Sequence, residues 1–460
     1  MNIILATDSY KHSHFLQYPP EAKGITAYAE ARTNSFADEV LFLGLTPFLI
    51  DYLSKPITLE QALEAEAICE AHGIPFNQDG WRIILNEFDG YLPLHIEALP
   101  EGMVVPTSIP LVQVTNTDDR FAWLPTFIET ALLRSIWFPT TVGTLSYQCK
   151  QIIRTGLEVS SDDPEGQLPF KLHDFGARGV SSAESAALGG MAHLVNFMGS
   201  DTLEGIMAAR KYYGADMAGF SIPASEHSTM TSWGKDRESK AYRNMLDSFE
   251  GEGKIVAVVS DSYDLDNAVE NIWGDELRLK VLTREGTLVV RPDSGCPIET
   301  PIRVLKKLWD IFGGTTNSKG YKVLDPHVRV IQGDGMNRES IAELVMRVIQ
   351  EGFSIDNIAF GMGGGLLQKV DRDTLRFAMK ANAMRTADGW QDVQKKPATD
   401  PTKASKAGRQ VVVYDGNGNI NSMHADDFNP TTQHNLLKTV YYNGTVYPTP
   451  TWEELKSRSA

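Results

Sequence analysis

The stretch TLVVRPDSGCPIETPIRVLKKLWDIFG, residues 287–313, contains the unit from which the fold can be predicted. Its first four residues form an apolar run typical of a buried strand, and a polar turn from Arg291 to Gly295 follows directly. Thr300 and Pro301 then open a helix with apolar residues at helical spacing, and Gly313 ends it. A strand, a polar turn and an amphipathic helix together indicate one unit of a parallel α/β fold.

The same unit recurs along the middle of the chain. Six apolar runs start near residues 171, 219, 254, 287, 328 and 357, and helical patterns lie between most of them. Units spaced by roughly 30 to 45 residues predict a parallel sheet. Each run ends in a polar or glycine-rich turn, and in an α/β barrel such turns lie together at the C-terminal face. We therefore predict an α/β barrel over residues 166–387.

The flanking segments, residues 1–165 and 388–460, mix helical and strand patterns and are expected to form a second, discontinuous α+β domain. The predicted elements are a strand over 3–6, a helix over 59–72 with a capping box at Thr58 and Gln61, a largely helical segment over 121–159 interrupted at Pro139, strands over 410–414 and 439–442, and a helix from about 451.

Composition and charge exclude several classes of function. With 42% hydrophobic and 22% charged residues, the 460-residue chain is typical of a globular protein. A net charge of -16 argues against nucleic-acid binding. The three cysteines have no metal spacing, and neither a signal peptide nor an apolar run of the ~20 residues that a membrane helix needs is found. We expect a cytoplasmic protein with no nucleic-acid or membrane partner.

Histidine and carboxylate side chains follow three of the predicted strands. After Pro223, a predicted loop carries His227, which is suited to act as acid, base or nucleophile near neutral pH, although a lone loop histidine is more often structural. Arg291 and Asp293 offer a donor fork for phosphate and an acceptor for a diol or Mg²⁺, with a surface ion pair as the alternative. Asp261 could orient His227 or bind a metal.

Two glycine-rich turns suggest contacts to a phosphorylated sugar. Backbone N–H groups of residues 363–365 could hold a phosphate at a helix start, although a flexible turn explains them equally well. Asp334, within the turn 332–335, could accept from ribose hydroxyls, and a simple Asp-Gly turn is the equal alternative. Neither a nucleotide P-loop nor a dinucleotide fingerprint is present. Together with Arg178, Arg372 and Lys380, these turns favour a phosphorylated sugar over an apolar ligand.

Seven motifs in combination, spread over nearly the whole chain, resemble the nicotinamide phosphoribosyltransferase family, a type II phosphoribosyltransferase family. They are DSYK (8–11), KLHDFG (171–176), RGVSS (178–182), EHST (226–229), RPDSG (291–295), IQGDG (331–335) and GGGLLQK (363–369). The resemblance implies an irregular α/β barrel with a second α+β domain and a homodimer with shared active sites. It also implies a glycosyltransferase of NAD biosynthesis or salvage that condenses nicotinamide with 5-phosphoribosyl 1-pyrophosphate to give nicotinamide mononucleotide and pyrophosphate.

The resemblance also implies roles for individual residues. Phe175, with Tyr10 of the partner subunit, would stack on the pyridine ring, Asp201 would accept from the carboxamide, and Ser221 would belong to the same site. The ribose hydroxyls would be held by Asp293, Gly333 and Asp334. The phosphates would be bound by Arg178, Arg291, Gly363 and Gly364, together with Arg32, Arg372 and Lys380 across the dimer.

A histidine phosphorylated by ATP is a further implication of the resemblance. His227 matches that residue, Asp261 is the candidate to orient it, and Lys395 and Lys403 would reach the ATP phosphates. His227, Asp261 and Asp293 are thus the expected catalytic residues. Mg²⁺ is the expected cofactor and ATP a co-substrate, with the metal ligands left open. Two departures from the family pattern, Ala177 and Ser225, affect the ring pocket and not the reaction.

Three alternatives stay open at this point. The first is nicotinate phosphoribosyltransferase, which would need the opposite charge at the position of Asp201. A barrel lyase or aldolase that acts on a sugar phosphate would need a Schiff-base lysine at a strand end, and none of the six runs ends in lysine. A non-catalytic secreted signalling role is not supported, because the sequence has neither a signal peptide nor a disulfide framework.

Overall fold

The computed structural model describes residues 2–399 and 404–459, and their contacts divide the chain into two compact units. The first unit comprises residues up to 144, residues 209–215 and residues from 370 onward. The second comprises residues 145–208 and 216–369. These units are groups of residues in contact, so the domain limits given above, 1–165 with 388–460 and 166–387, stay a prediction.

Strands and helices occur in both units. The strands are β1 Gly24–Glu30, β2 Glu39–Leu41, β3 Leu94–Ala98, β4 Val104–Pro106, β5 Val112–Asn116, β6 Leu172–Asp174, β7 Gly199–Ser200, β8 Ile255–Val259, β9 Thr287–Arg291, β10 Gly314–Thr316, β11 Lys322–Leu324, β12 Val328–Gln332, β13 Ile358–Met362, β14 Ala378–Thr386, β15 Gly389–Asp392, β16 Gln410–Tyr414, β17 Ile420–His424, β18 Lys438–Tyr442 and β19 Thr445–Val446. The α-helices are α1 Leu45–Phe48, α2 Leu59–His72, α3 Gln78–Glu87, α4 Leu124–Phe127, α5 Glu129–Ser160, α6 Pro164–Gln167, α7 Ala183–Leu194, α8 Leu203–Tyr213, α9 His227–Thr231, α10 Glu238–Ser248, α11 Leu265–Asn267, α12 Arg278–Thr283, α13 Glu299–Phe312, α14 Arg338–Gln350, α15 Gly364–Leu367 and α16 Trp452–Arg458.

The second unit is built on a curled parallel sheet with strand order β7-β6-β13-β12-β9-β8. The segment 220–225 lies between the two edge strands, because Phe220 bridges to Gly199 of β7 and Ala224 bridges to Ala257 of β8, both in parallel. This segment closes the sheet into the predicted irregular barrel. The strand expected near residue 219 is wrong as a regular element, since Pro223 has no N–H to donate to a ladder.

The barrel interior is apolar. Ala257, Val289 and Ile331 are buried there and pack with Phe175 and with two further side chains, Ile222 and Ala359. Because every strand of this sheet is parallel, the turns that follow the strands lie at one edge. The chemistry-bearing turns predicted from the sequence are therefore neighbours in space.

Local chemistry defines the ends of helices α13 and α14 in the second unit. Helix α13 begins at Glu299, buries its apolar stripe and stops at Gly313, whose φ is 73°. Asn337 forms a capping box with Ser340 at the start of α14. These ends depend on local side-chain and backbone chemistry, so the sequence was sufficient to predict them.

The first unit contains an antiparallel sheet with strand order β15-β14-β1-β5-β3-β18-β19. Helix α2 has the predicted capping box at Thr58 and Gln61 and ends at Gly73. The expected strand over 3–6 is wrong, because residues 3–5 form a turn. Within the described residues 2–399 and 404–459, no helix is both long and apolar enough to span a membrane.

Helix α5 continues through Pro139, so the predicted interruption there is wrong. Proline removes one backbone hydrogen bond from a helix and normally kinks or breaks it. Here the hydroxyl of Thr140 both accepts from Leu43 N at 3.1 Å and donates to Leu43 O at 3.0 Å. Thr144 accepts from Leu41 N at 3.0 Å. These tertiary bonds hold the helical turn that follows the proline.

Candidate active site

A cavity of about 700 Å³ opens at the carboxyl ends of the parallel strands in the second unit. Many residues expected to bind substrate line it, namely Phe175, Arg178, Asp201, Arg291, Asp293, Gly333, Asp334, Gly363 and Gly364. They come from the turns after β6, β7, β9, β12 and β13. A parallel barrel thus brings together residues that are almost 200 positions apart in sequence.

Phe175 stands at the wall of this cavity on a tightly held turn. Its N–H donates to Met362 O at 3.0 Å, and the next N–H, of Gly176, donates to Asp174 Oδ1 at 2.7 Å. A Cβ placed on Gly361 would lie 2.0 Å from the Phe175 ring, so only glycine fits at that position. The guanidinium of Arg291 lies 5.7 Å from the ring centroid. The backbone at Gly361 therefore packs against the Phe175 ring, and the Arg291 guanidinium lies near it.

Asp201 lies at the cavity wall in the turn between β7 and α8. Its N–H donates to Asp174 O at 3.0 Å, and Ser221 Oγ donates to Asp201 Oδ1. Ser221 itself lines a second, more apolar cavity of about 370 Å³ inside the barrel. The hydroxyl of Ser221 thus occupies one carboxylate oxygen of Asp201 and leaves the other for a ligand.

Asp174 is fully buried beside this turn. Burial raises the pKa of its carboxyl to about 6, and the negative charges of Asp201 and Glu204 act in the same direction. Sequence reasoning missed this residue, although it is part of the KLHDFG motif. The available signal was its position at the end of an apolar run, where the other carboxylates of the site also occur.

Arg291 and Asp293 form an ion pair at the end of β9. Arg291 Nη2 and Nε donate to Asp293 Oδ1 at 2.8 and 3.2 Å. Asp261 Oδ2 accepts from Asp293 N at 3.1 Å and from the hydroxyl of Ser294. The turns after β8 and β9 are therefore tied together by one carboxylate.

His227 lies against these two carboxylates. Its Nε2 is 3.5 Å from Asp293 Oδ2 and 3.7 Å from Asp261 Oδ1, and its Nδ1 is 3.2 Å from Ser262 Oγ. The residue begins helix α9 and does not lie in the predicted loop, since Glu226 caps the helix. His227 and Asp261 do not line the cavity, but Asp293 does. The imidazole is thus next to the cavity and partly open to solvent, with its side chain 46% exposed.

The contact between His227 and Ser262 was not predicted from the sequence. Asp264, two residues further on, caps helix α11 by accepting from Asn267 N at 3.0 Å, whereas the hydroxyl of Ser262 contacts His227. Thr202, Gln368 and three more residues also line the cavity without having been singled out. The available signal was that Thr202 directly follows Asp201 and that Gln368 belongs to the same motif as the triple glycine.

The cationic residues expected to act across a dimer belong to the first unit. Lys380 lies opposite Tyr28 in the pairing of β14 with β1. Burial lowers the pKa of Lys380; the negative charge of Glu129 opposes this shift, and the positive charges of Arg32, Lys395 and Lys11 add to it. Two other residues of this unit, Arg372 and Tyr10, are exposed at the surface. Lys403 lies outside the described residues.

Comparison with known proteins identifies related families. Residues 170–445 match the nicotinate phosphoribosyltransferase family, and residues 2–96 match the nicotinamide phosphoribosyltransferase N-terminal domain. The nicotinamide phosphoribosyltransferase of Xanthomonas campestris pv. campestris is 49% identical, over 100% of this chain and 98% of its own length. That of Acinetobacter baylyi is 30% identical, over 100% of this chain and 97% of its own length.

Solved structures share the fold at low sequence identity. Nicotinate-nucleotide pyrophosphorylase from Pyrococcus furiosus matches with a TM-score of 0.62 and 16% identity, over 100% of this chain and 95% of that one. Human nicotinic acid phosphoribosyltransferase matches with a TM-score of 0.56 and 16% identity, over 99% and 93% of the two chains. These matches confirm the predicted fold, an irregular α/β barrel of the type II phosphoribosyltransferase kind with a second α+β domain.

Proposed function

The chain belongs to the nicotinate phosphoribosyltransferase family, and we propose that it joins nicotinamide to 5-phosphoribosyl 1-pyrophosphate, releasing nicotinamide mononucleotide and pyrophosphate. Relatives that match it over their full length are named for this transfer to nicotinamide. The chain is thus a pentosyltransferase of NAD biosynthesis.

The observation that carries the proposal is a carboxylate, Asp201, in the wall of the cavity that Phe175 also lines. A carboxylate accepts a hydrogen bond from a carboxamide N–H but repels the carboxylate of nicotinic acid. At ~4 Å this repulsion is about 1 kcal/mol at the dielectric of water and about 4 kcal/mol at an effective dielectric of ~20. Stacking on Phe175 contributes equally for both bases, so charge decides which base is used.

The remaining cavity residues fit a phosphorylated ribose. Asp293 and Asp334 offer acceptors for the two ribose hydroxyls, beside the backbone of Gly333. Arg178 and Arg291 offer bidentate donors for phosphate oxygens. Pyrophosphate leaves as the bond to the anomeric carbon breaks, and the ring nitrogen of nicotinamide forms the new bond there. Positioning of the two reactants and neutralisation of the leaving group supply the catalysis, so no strong base is needed.

Mg²⁺ is the proposed cofactor. Asp261 Oδ1 is buried and has no hydrogen-bond partner among the described residues, and carboxylate oxygens are the ligands that this hard cation prefers. Asp261 and Asp293 would hold the ion together with phosphate oxygens of the substrate. When bound, Mg²⁺ would neutralise charge on the pyrophosphate.

ATP is proposed to phosphorylate His227, with ADP as the product. A nucleophilic imidazole needs one unprotonated nitrogen and a neighbour that orients the ring. Asp261, Asp293 and Ser262 surround both ring nitrogens at 3.2–3.7 Å, which supports this role. Lys395 and Lys403 are the proposed contacts for the ATP phosphates. The proposal includes a homodimer in which Tyr10, Arg32, Arg372 and Lys380 of the partner subunit complete each site, and a cytoplasmic location.

The alternative of a Schiff-base lyase receives no support, because none of the described strands of the parallel barrel ends in lysine. The other alternative is that nicotinate is the substrate, and an assay with both bases tests it. Purified protein is incubated with 5-phosphoribosyl 1-pyrophosphate, Mg²⁺ and either base, with and without ATP, and nucleotide is quantified by chromatography. We expect nicotinamide mononucleotide from the amide. Formation of a nucleotide from nicotinic acid, with none from nicotinamide, would refute the proposal.

A further inference from the structure

His193, in the last turn of α7, is a fully buried histidine with no part in the mechanism described above. Its Nδ1 lies 3.0 Å from the hydroxyl of Ser146 in α5, and its Nε2 lies 3.2 Å from Gly199 O in β7. Its ring stacks on Phe197, with centroids 5.4 Å apart and an angle of 18° between the planes. Both ring nitrogens are thus committed to specific partners.

The partners determine the protonation state of this ring. A carbonyl oxygen only accepts, so Nε2 carries the proton and donates to Gly199 O. Nδ1 is then unprotonated and accepts from the Ser146 hydroxyl. Burial lowers the pKa of His193 to about 4, so the neutral ring persists at neutral pH. The result is a fixed hydrogen-bonded connection from α5 through His193 to β7.

Strand β7 needs such support, because it has only two residues, Gly199 and Ser200. Its pairing with β6 consists of two residue pairs, and Ser200 N donates to Phe220 O at 3.0 Å. A Cβ on Gly199 would lie 2.8 Å from the His173 ring, so the strand is also closely packed. Asp201 is the next residue after this strand, and any shift of β7 moves its carboxylate.

We propose that His193 and Ser146 are positioning residues that hold β7 and thereby place the Asp201 carboxylate for recognition of the base. The inference rests on the proposed function, in which Asp201 meets the carboxamide. The pair touches neither substrate nor the reacting atoms. Its loss should therefore affect binding of the base and leave the phosphoribosyl site intact.

Two substitutions of His193 by amide side chains distinguish the positioning of β7 from a general contribution of the buried ring to core packing. His193→Gln places an amide nitrogen near the position of Nε2 and can still donate to Gly199 O. His193→Asn places its amide near the position of Nδ1, so it keeps the contact to Ser146 and loses the bond to Gly199. Ser146→Ala removes the bond on the other side of the ring.

Steady-state kinetics of the full-length variants, with nicotinamide and then 5-phosphoribosyl 1-pyrophosphate varied, test the proposal. For His193→Asn we expect the KM for nicotinamide to rise about tenfold, equivalent to about 1.4 kcal/mol. In the same variant the KM for 5-phosphoribosyl 1-pyrophosphate should change by less than about twofold. His193→Gln should restore the KM for nicotinamide to within about twofold of wild type, and Ser146→Ala should raise it about threefold.

Equal losses in the Gln and Asn variants, or equal increases in both KM values, would overturn the proposal in favour of a purely structural role. Folding of His193→Asn is checked by circular dichroism. If that variant does not fold, the Ser146→Ala variant tests the proposal, and an unchanged KM for nicotinamide in Ser146→Ala overturns it. Wild-type protein is assayed first with both bases. If it uses only nicotinic acid, the proposed function fails and the inference fails with it, whereas use of nicotinamide with unchanged KM values in the variants overturns the inference alone.

Discussion

Replacing Asp201 by asparagine should convert the base specificity of this enzyme. The substitution removes the negative charge from the cavity wall and keeps the size of the side chain. Asp201 is exposed in the open cavity, and a bound ring would displace water from it, so the effective dielectric lies between those of water and of a protein site. The repulsion that the substitution would relieve is therefore about 1 to 4 kcal/mol at ~4 Å, a gain of about 5-fold to 10³-fold in kcat/KM for nicotinic acid.

For nicotinamide the same substitution should change kcat/KM in the opposite direction. The asparagine oxygen still accepts a hydrogen bond, but a neutral acceptor is weaker than a carboxylate. We expect kcat/KM for nicotinamide to fall about 5-fold, about 1 kcal/mol. Ser221 donates to one oxygen of the native carboxylate, and it can pair with either end of the amide. The variant site is thus expected to keep its shape.

The assay measures kcat/KM for both bases at saturating 5-phosphoribosyl 1-pyrophosphate in wild type, Asp201→Asn and Ser221→Ala. The Ser221 variant is the matched control, because it removes the hydrogen bond to Asp201 and retains the charge. Its ratio of the two kcat/KM values should stay within about threefold of wild type. If Asp201→Asn leaves the ratio unchanged, or if Ser221→Ala changes it as much, charge at Asp201 does not select the base.

Three further predictions follow from the same structure. His227→Ala should abolish transfer of ³²P from γ-labelled ATP to the protein and remove the effect of ATP on the KM values; labelling that persists would place the phosphorylated residue elsewhere. Gly361→Ala puts a methyl group 2.0 Å from the Phe175 ring, so the KM for nicotinamide should rise at least about tenfold. Gly352→Ala is the control for effects on fold stability alone, because Gly352 lies at a helix end with open space around it. Asp174→Asn should gain stability relative to wild type as pH rises from 4 to 7.5. The folded pKa of Asp174 is raised to about 6 from 3.8, so the folded wild type binds more protons than the unfolded chain in that interval and loses stability as the pH increases. The expected gain is about 1.4 kcal/mol per unit of pKa difference, measured by urea unfolding at both pH values; a difference independent of pH would contradict the assignment.

Much of this fold was predictable because its signals are local. Apolar runs of strand length, the helix of residues 299–312 and its stop at Gly313 depend on neighbouring residues alone. The position of the site at one edge of the barrel followed as well, since parallel strands place their following turns on one face. The motifs in those turns then narrowed the chemistry to a phosphorylated ribose.

Other elements depend on contacts that no local pattern encodes. Pro139 stays inside a helix because the hydroxyls of Thr140 and Thr144 bond to a distant backbone segment. Strand β7 is too short for any periodicity, and the segment 220–225 joins the barrel through bridges and not through a ladder. Their existence depends on the partners that the closed barrel supplies.

The residue types that follow each strand could be predicted from the sequence, because hydrophobic periodicity and turn chemistry act over a few residues. Which of those residues meet depends on the folded chain. His227 lies 3.5 Å from Asp293, across 66 positions of sequence, and His193 bonds to the strand that directly precedes Asp201. Distances between separate turns are set by how the sheet curls and closes, and that closure is a property of the whole barrel.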